Sequence, residues 1–231
     1  MSEIELSIVI PSYQEEKNLE FILPRIMRTL RAIDITSEVL VIDTIDSMDG
    51  TEGVCVKNGA RYVHREGGNE YGCAIKTGIA QALGERLVFM DADGSHKPEF
   101  IEELYRNRMS YDVVIASRYV LGGDTSNRAI LVFMSKLVNF AYSVVLGLNC
   151  RDVSNSFRLY YRSDLLRLTL FSKNFDIVEE MLYKLKRTKV ELKILEIPYS
   201  FEQRVFGQTK RNTVTFIFSY LLTLLKLRFG K

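Results

Sequence analysis

Short apolar runs bounded by polar turns recur along the first half of the chain: LSIVIP (6–11), EVLVID (38–43), ARYVHR (60–65), RLVFMD (86–91) and DVVIASR (112–118). Their brevity and their richness in Val and Ile predict strands buried on both faces of a parallel sheet. Between them, residues 17–32, 51–58, 71–83 and 98–108 carry helical spacing, with Pro98 placed at a helix start. Strands alternating with helices predict a doubly wound α/β sheet, whose ligands sit outside the carboxyl ends of the strands.

The second half changes pattern. Residues 127–146 read as a long, mostly apolar helix, 157–162 as a strand, 176–187 as a helix and 190–201 as a further strand. No linker or low-complexity tract separates the halves, so one domain over 1–210 followed by a terminal segment, 211–231, is expected. Within that segment, residues 213–229 are apolar, with Thr215, Ser219, Thr223 and Lys226 on one polar stripe. With Lys226 and Arg228 inside it, the stretch is marginal as a membrane span. It reads instead as a helix in the membrane interface or on a partner subunit, or as a terminal helix packed on its own domain.

Composition narrows the chemistry. Of 231 residues, 47% are hydrophobic and 26% charged, and the net charge of +2 speaks against a nucleic-acid partner. Cys55, Cys73 and Cys150 lie far apart, and His64 and His96 are the two histidines, so a thiolate or imidazole zinc site is not expected. The cysteine pattern suits a reducing compartment, and the start MSEIELSIVIP has no leader pattern, so a cytoplasmic protein is expected.

Pro11, Asp43, Asp91 and Arg118 all fall at or just beyond the carboxyl ends of predicted strands, where they should converge on one crevice. Asp91 and Asp93, with Ala92 between them, can share a divalent cation that removes their mutual repulsion. Mg²⁺ takes one or two carboxylates together with phosphate oxygens, so the pair suggests a metal-bound diphosphate. Taken alone, it equally suits two solvated acids at a strand end.

The pair has company. IVIPSYQEEKNLE (8–20), VIDTIDSMDGT (41–51), YGCAIKTGI (71–79), MDADGSHKPEFI (90–101) and VVIASRYVLGG (113–123), in that order, resemble the family 2 glycosyltransferases of the GT-A fold. DVSNSFRLYYRSDL (152–165) and IPYSFEQRVFGQTK (197–210) resemble the dolichol-phosphate mannose synthases within it, and the likeness runs over residues 6–210. The resemblance implies a Rossmann-like, mostly parallel central sheet flanked by helices. It implies an inverting enzyme that moves mannose from GDP-mannose to dolichyl or another polyprenyl phosphate with Mg²⁺ or Mn²⁺, peripheral on the cytoplasmic face of a membrane. The alternative is a UDP-sugar donor, as in polyprenyl-phosphate glucosyltransferases, or a saccharide acceptor. A membrane surface or a small membrane subunit would be met through 213–229.

Carried over by position, Pro11, Tyr13, Glu15 and Asp43 would hold the nucleotide. The family's DDxSxDGT stands here as DTIDSMDGT, one residue longer, so either Asp46 replaces the second acid or that contact is missing. Asp91 and Asp93 match the metal-binding pair. Ser95 would reach the metal through its hydroxyl or cap the helix before Pro98. Arg118 matches the arginine that stabilises the departing diphosphate; Arg204 and Lys210 match a phosphate-gripping pair. Asp93, Arg118 and Arg204 are thus the expected catalytic groups. Arg128, about one turn before Leu131, stands near the place of a further acceptor-binding arginine. Asn139, Asp152 and Arg158 read as structural, with Asp152 and Arg158 paired. A lipid phosphate is already anionic near neutral pH and needs no strong base, which fits the absence of an obvious role for His64 or His96.

A sugar-phosphate nucleotidyltransferase would carry a glycine-rich loop after the first strand, and PSYQEEKN has no glycine. The intact acids and basic residues argue against a non-catalytic scaffold.

Overall fold

The computed structural model describes residues 3–126, 129–207 and 222–229. Its centre is a seven-stranded sheet. Four parallel strands, β1 (Leu6–Pro11), β2 (Ser37–Asp43), β3 (Arg61–His64) and β4 (Arg86–Phe89), fall on the apolar runs of the first half. With β5 (Val113–Ser117), β7 (Arg158–Tyr161) and β8 (Ile194–Pro198) they take the order β3-β2-β1-β4-β7-β5-β8. β7 alone runs against its neighbours β4 and β5. A second, two-stranded sheet joins β6 (Asp124–Thr125) to β9 (Ser200–Phe201).

Helices cover both faces. α1 (Glu16–Ile33), α2 (Thr51–Asn58) and α4 (Ile101–Arg106) share a core with Ile8, Ile10, Val39, Val41 and Val88. α3 (Tyr71–Gln81), α5 (Ala129–Leu146) and α7 (Ile177–Thr188) share the other with Val9, Leu40, Ile42, Leu87 and Phe89. Alternate residues of β1, β2 and β4 enter opposite layers, which is why these strands carry runs of consecutive apolar residues rather than an apolar residue at every second position.

Three expectations need correction. β4 stops at Phe89, so Asp91 lies in a turn beyond the strand and not at its last position. The helix expected over 98–108 is a 3-10 turn, Pro98–Phe100, followed by α4. The strand expected over 190–201 breaks at Tyr199 into β8 and β9, because the Tyr199 amide donates to the Ser117 carbonyl and its hydroxyl bonds Lys97 N–H and the Ser95 carbonyl. A short helix, α6 (Arg162–Leu165), follows β7 without a loop.

Most of 213–229 lies outside the described residues, but 222–229 are helical. Thr223 donates to Asp176 at 2.8 Å, and Leu224 and Leu227 join the core under α5 and α7, so this part does pack on the sheet's helical layer. Its other face, Leu222, Leu225 and Phe229, is exposed. No helix among the described residues is long and apolar enough to cross a membrane.

Candidate active site

The carboxyl ends of β1, β2, β4 and β5 open on one edge of the sheet. After β1 the chain turns through Gln14, held at φ +54°, into α1. That turn is pinned by Asp49, whose two carboxylate oxygens accept the Glu16 and Thr51 amides, while Glu16 accepts the Gly50 amide in return. Each of these acids satisfies a helix-start donor that has no intrahelical partner. Pro11 is buried, Tyr13 stands at the surface, and Glu15 is buried against Asn18, which donates to it at 2.6 Å.

At the end of β2, Asp43 is buried. Its Oδ2 accepts from the Tyr62 hydroxyl at 3.0 Å, and its Oδ1 has no hydrogen bond. Burial pushes the Tyr62 hydroxyl up to about 12, which keeps it a donor to Asp43. The extra residue of the DTIDSMDGT loop is absorbed by a turn in which the Thr44 hydroxyl donates to the Asp46 carbonyl at 2.6 Å. Asp46 itself is exposed and its carboxylate has no partner among the described residues.

Beyond β4, the DADGSH turn is tightly specified. Asp91 Oδ1 accepts from the Tyr71 hydroxyl at 3.2 Å and the Ser156 hydroxyl at 3.1 Å, and Tyr71 is stacked on Phe175. Asp93 Oδ1 accepts from both the Ser95 amide at 3.0 Å and the Ser95 hydroxyl at 2.6 Å. The residue that caps the 3-10 turn is Lys97, so Ser95 is not a helix cap. Ala92 is buried between the two acids. Gly94 has φ +81°, and a Cβ there would stand 2.5 Å from Val205 Cγ2, so the 202–207 segment closes over this turn only because position 94 has no side chain.

That segment brings Arg204 in. Its guanidinium pairs with Glu15 and lies 3.6 Å from Asp93 Oδ2, so one cation spans the acid after β1 and the acid after β4. Main-chain bonds hold the segment down: Val205 N–H to the Asp93 carbonyl at 3.0 Å, Glu202 N–H to the Ser95 carbonyl at 3.2 Å, and Phe206 N–H to Asn18 at 3.0 Å. Arg118, just past β5, donates to both oxygens of buried Asp152 at 2.9 and 2.6 Å and to Ser154 at 3.1 Å. The expected Asp152–Arg158 pair is therefore corrected. Arg158 reaches the Asp152 and Val153 carbonyls and the Tyr160 hydroxyl, while the Asp152 carboxylate anchors Arg118. Arg128 and Lys210 lie outside the described residues.

Sequence reasoning missed Arg65. Buried beside β3, it donates to the carbonyls of Ser12, Ile42, Asp43, Asn69 and Glu70, and so ties together the chain after β1, the end of β2 and the approach to α3. Tyr71, Ser156 and Asn18 were missed as well. Among the described residues no three His, Cys, Asp or Glu side chains gather as a metal-binding group. Asp91 and Asp93 are hard oxygen donors with one oxygen each outside the hydroxyl contacts. That suits a cation completed by a substrate's phosphates and water, and does not suit a closed structural metal.

Residues 7–169 match the family model for glycosyl transferase family 2. The chain belongs to that family. Over 229 residues it is 31% identical to a dolichol-phosphate mannosyltransferase of Pyrococcus furiosus, covering 94% of this chain and 62% of that one. It is 33% identical to an undecaprenyl-phosphate mannosyltransferase of Micrococcus luteus, covering 87% and 85%. The chain thus spans less than two thirds of the Pyrococcus relative. Glucosyl-3-phosphoglycerate synthase of Mycobacterium tuberculosis, crystallised with Mn²⁺ and UDP, superposes with a TM-score of 0.72 at 21% identity over 97% of this chain and 80% of that one. The same enzyme with Mg²⁺ and UDP gives 0.75 at 20%, with 97% and 79% covered. These likenesses fix the fold as GT-A.

Because Asp152 is wholly buried, removing it takes away the carboxylate to which the Arg118 guanidinium donates twice, in a largely desolvated place. Asp152→Ala is expected to cost about 3 kcal/mol of stability in urea denaturation, as for other broken buried ion pairs.

Proposed function

We propose that this glycosyltransferase is an inverting mannosyltransferase that moves mannose from GDP-mannose to a polyprenyl phosphate of the dolichyl type, releasing GDP. The observation that carries this reading is the gathering of Asp91, Asp93, Arg118 and Arg204 on the one sheet edge where this fold binds ligands, with Arg204 bridging Glu15 and Asp93. The names of the Pyrococcus and Micrococcus relatives supply the sugar and the acceptor class.

In this reading Pro11, Tyr13, Glu15 and Asp43 hold the nucleoside, on a frame set by Arg65. Asp91 and Asp93, with the Ala92 main chain between them, hold Mg²⁺ or Mn²⁺, and Ser95 acts by fixing Asp93 Oδ1. The ion, when bound, neutralises charge on the diphosphate. Arg118, immobilised by Asp152, stabilises the diphosphate as its bond to the anomeric carbon breaks. The acceptor phosphate is already an anion, since its second ionisation lies near pH 6, so its oxygen attacks that carbon from the opposite side without a general base. Arg204 grips phosphate oxygens with a fork that matches them, Arg128 adds a second such fork, and Lys210 adds a point charge.

A UDP-sugar is the second reading, favoured by one observation. With Asp43 Oδ2 held by Tyr62, one carboxylate oxygen remains for a base. Uracil offers that oxygen a single ring N–H, whereas guanine offers two adjacent donors.

The acceptor reading also explains a surface. Ile130, Phe133, Leu137, Phe140 and Val144 form one exposed stripe along α5, opposite its buried face. The Leu224 main chain hydrogen-bonds Tyr142 of α5, and in that terminal helix Leu222, Leu225 and Phe229 are exposed as well. Exposed Lys136, Lys226 and Arg228 accompany them. Apolar side chains with basic neighbours suit the headgroup boundary of an anionic bilayer, on the cytoplasmic face where nucleotide sugars are at hand. Residues 1–210 then make the catalytic unit and 211–231 part of its attachment.

Asp93→Ala and Arg204→Ala should each lower mannose transfer to a polyprenyl phosphate in vesicles on the order of a hundredfold. Wild-type turnover in both removes these assignments, and calorimetry with GDP-mannose against UDP-glucose decides the base. The double variant Phe133→Glu, Phe140→Glu should move the protein from the pelleted to the soluble fraction with vesicles containing anionic lipid. Unchanged partition would mean that α5 does not touch the bilayer.

A further inference from the structure

His96 takes no part in the mechanism above, and its surroundings are unlike those of a histidine that merely fills space. The imidazole is wholly buried, with its face stacked on Phe157 at 4.7 Å and its flanks closed by the edges of Tyr199 and Phe201. Nδ1 accepts the Asp91 amide at 3.0 Å. That bond assigns the ring proton to Nε2, because a neutral imidazole donates from one nitrogen and accepts at the other. Nε2 then has no hydrogen-bond partner among the described residues and lies 4.0 Å from Asp91 Oδ2. One ring therefore holds Asp91 by its main chain and places its Nε2 edge 4.0 Å from the oxygen of Asp91 that Tyr71 and Ser156 leave uncovered.

We propose that His96 is a positioning residue for the metal-binding acid: its Nδ1 fixes the Asp91 peptide, and its Nε2 edge, 4.0 Å from Asp91 Oδ2, walls one side of the carboxylate, setting it before the cation and donor arrive. The inference rests on the reading of Asp91 and Asp93 as metal ligands. Its logic is that of outer-shell partners generally, which aim a ligand and tune its basicity without touching the ion. The ring also joins two parts of the site. Phe201, against its edge, opens the segment that carries Arg204, and Tyr199 bonds the Ser95 carbonyl of the same turn. A phenyl ring would serve packing equally well and would hold neither end of Asp91.

The test compares His96→Phe, which keeps the stack and loses both nitrogens, with His96→Asn, whose amide oxygen falls near Nδ1 and restores the acceptor for the Asp91 amide. Binding of Mn²⁺ to the full chain, followed by electron paramagnetic resonance in the presence of GDP or UDP, should weaken roughly 10- to 100-fold in His96→Phe. His96→Asn should recover most of that loss. In vesicle assays, kcat should fall in His96→Phe while KM for the lipid acceptor stays, and thermal melting of both variants should remain cooperative. Should His96→Phe fail to fold, His96→Gln, which puts an amide near Nε2 with no acceptor at Nδ1, replaces it in the comparison. Wild-type Mn²⁺ affinity in the variant lacking Nδ1, or equal weakening in folded His96→Asn, overturns the proposal. Asp91→Ala separates it from its parent reading. If that variant loses Mn²⁺ binding while His96→Phe keeps it, only the role of His96 falls; if Asp91→Ala binds as wild type, the metal assignment itself falls.

Discussion

Two carboxylates separated by one residue, at the exit of a strand with no solvent on either face, repel each other, and much of the site answers that repulsion. Each acid has one oxygen quenched by neutral hydroxyls, Asp91 by Tyr71 and Ser156, Asp93 by Ser95. The remaining charge faces cations, with Arg204 at 3.6 Å from Asp93. That leaves one oxygen of each acid outside the hydroxyl contacts and open to a metal. The long-range architecture follows from this need. The donors come from α3, from the approach to β7 and from the segment after β9, which meet only because β7 is inserted between β4 and β5.

The basic groups are governed by the opposite constraint. A guanidinium serves a phosphate well only if it is held still, and Arg118 is held by a carboxylate that is itself fixed. The Asp152 amide donates to Glu196 Oε1, which also accepts from Ser117, so β5, the loop before β7 and β8 share one network. Arg204 is held differently, by a loop resting on main-chain bonds and on the absence of a side chain at Gly94. Rigid placement suits the group that meets the departing diphosphate.

How much could be read from the sequence depended on the distance over which each feature is determined. β1 was legible to the residue, because burial on both faces leaves a local signature of Val and Ile. The acids and Arg118 were legible because strand ends converge in any sheet of this class. The break at Tyr199 was not, since it depends on a hydroxyl reaching Ser95 and Lys97, about a hundred residues away in the chain. The assignment of Asp152 to Arg158 failed because a pattern shows only nearness along the chain; the partner, Arg118, is 34 positions away. Arg65 left no pattern at all, because its partners are carbonyls that every residue has.

The central claim, that this site transfers a sugar from a nucleotide to a lipid phosphate with help from a divalent ion, is tested most directly by following radiolabel from GDP-mannose into the organic phase of vesicles containing polyprenyl phosphate. Label should enter the lipid with Mn²⁺ or Mg²⁺ present and stop when EDTA is added. Undiminished transfer in EDTA, or release of free mannose with no labelled lipid, would contradict the account.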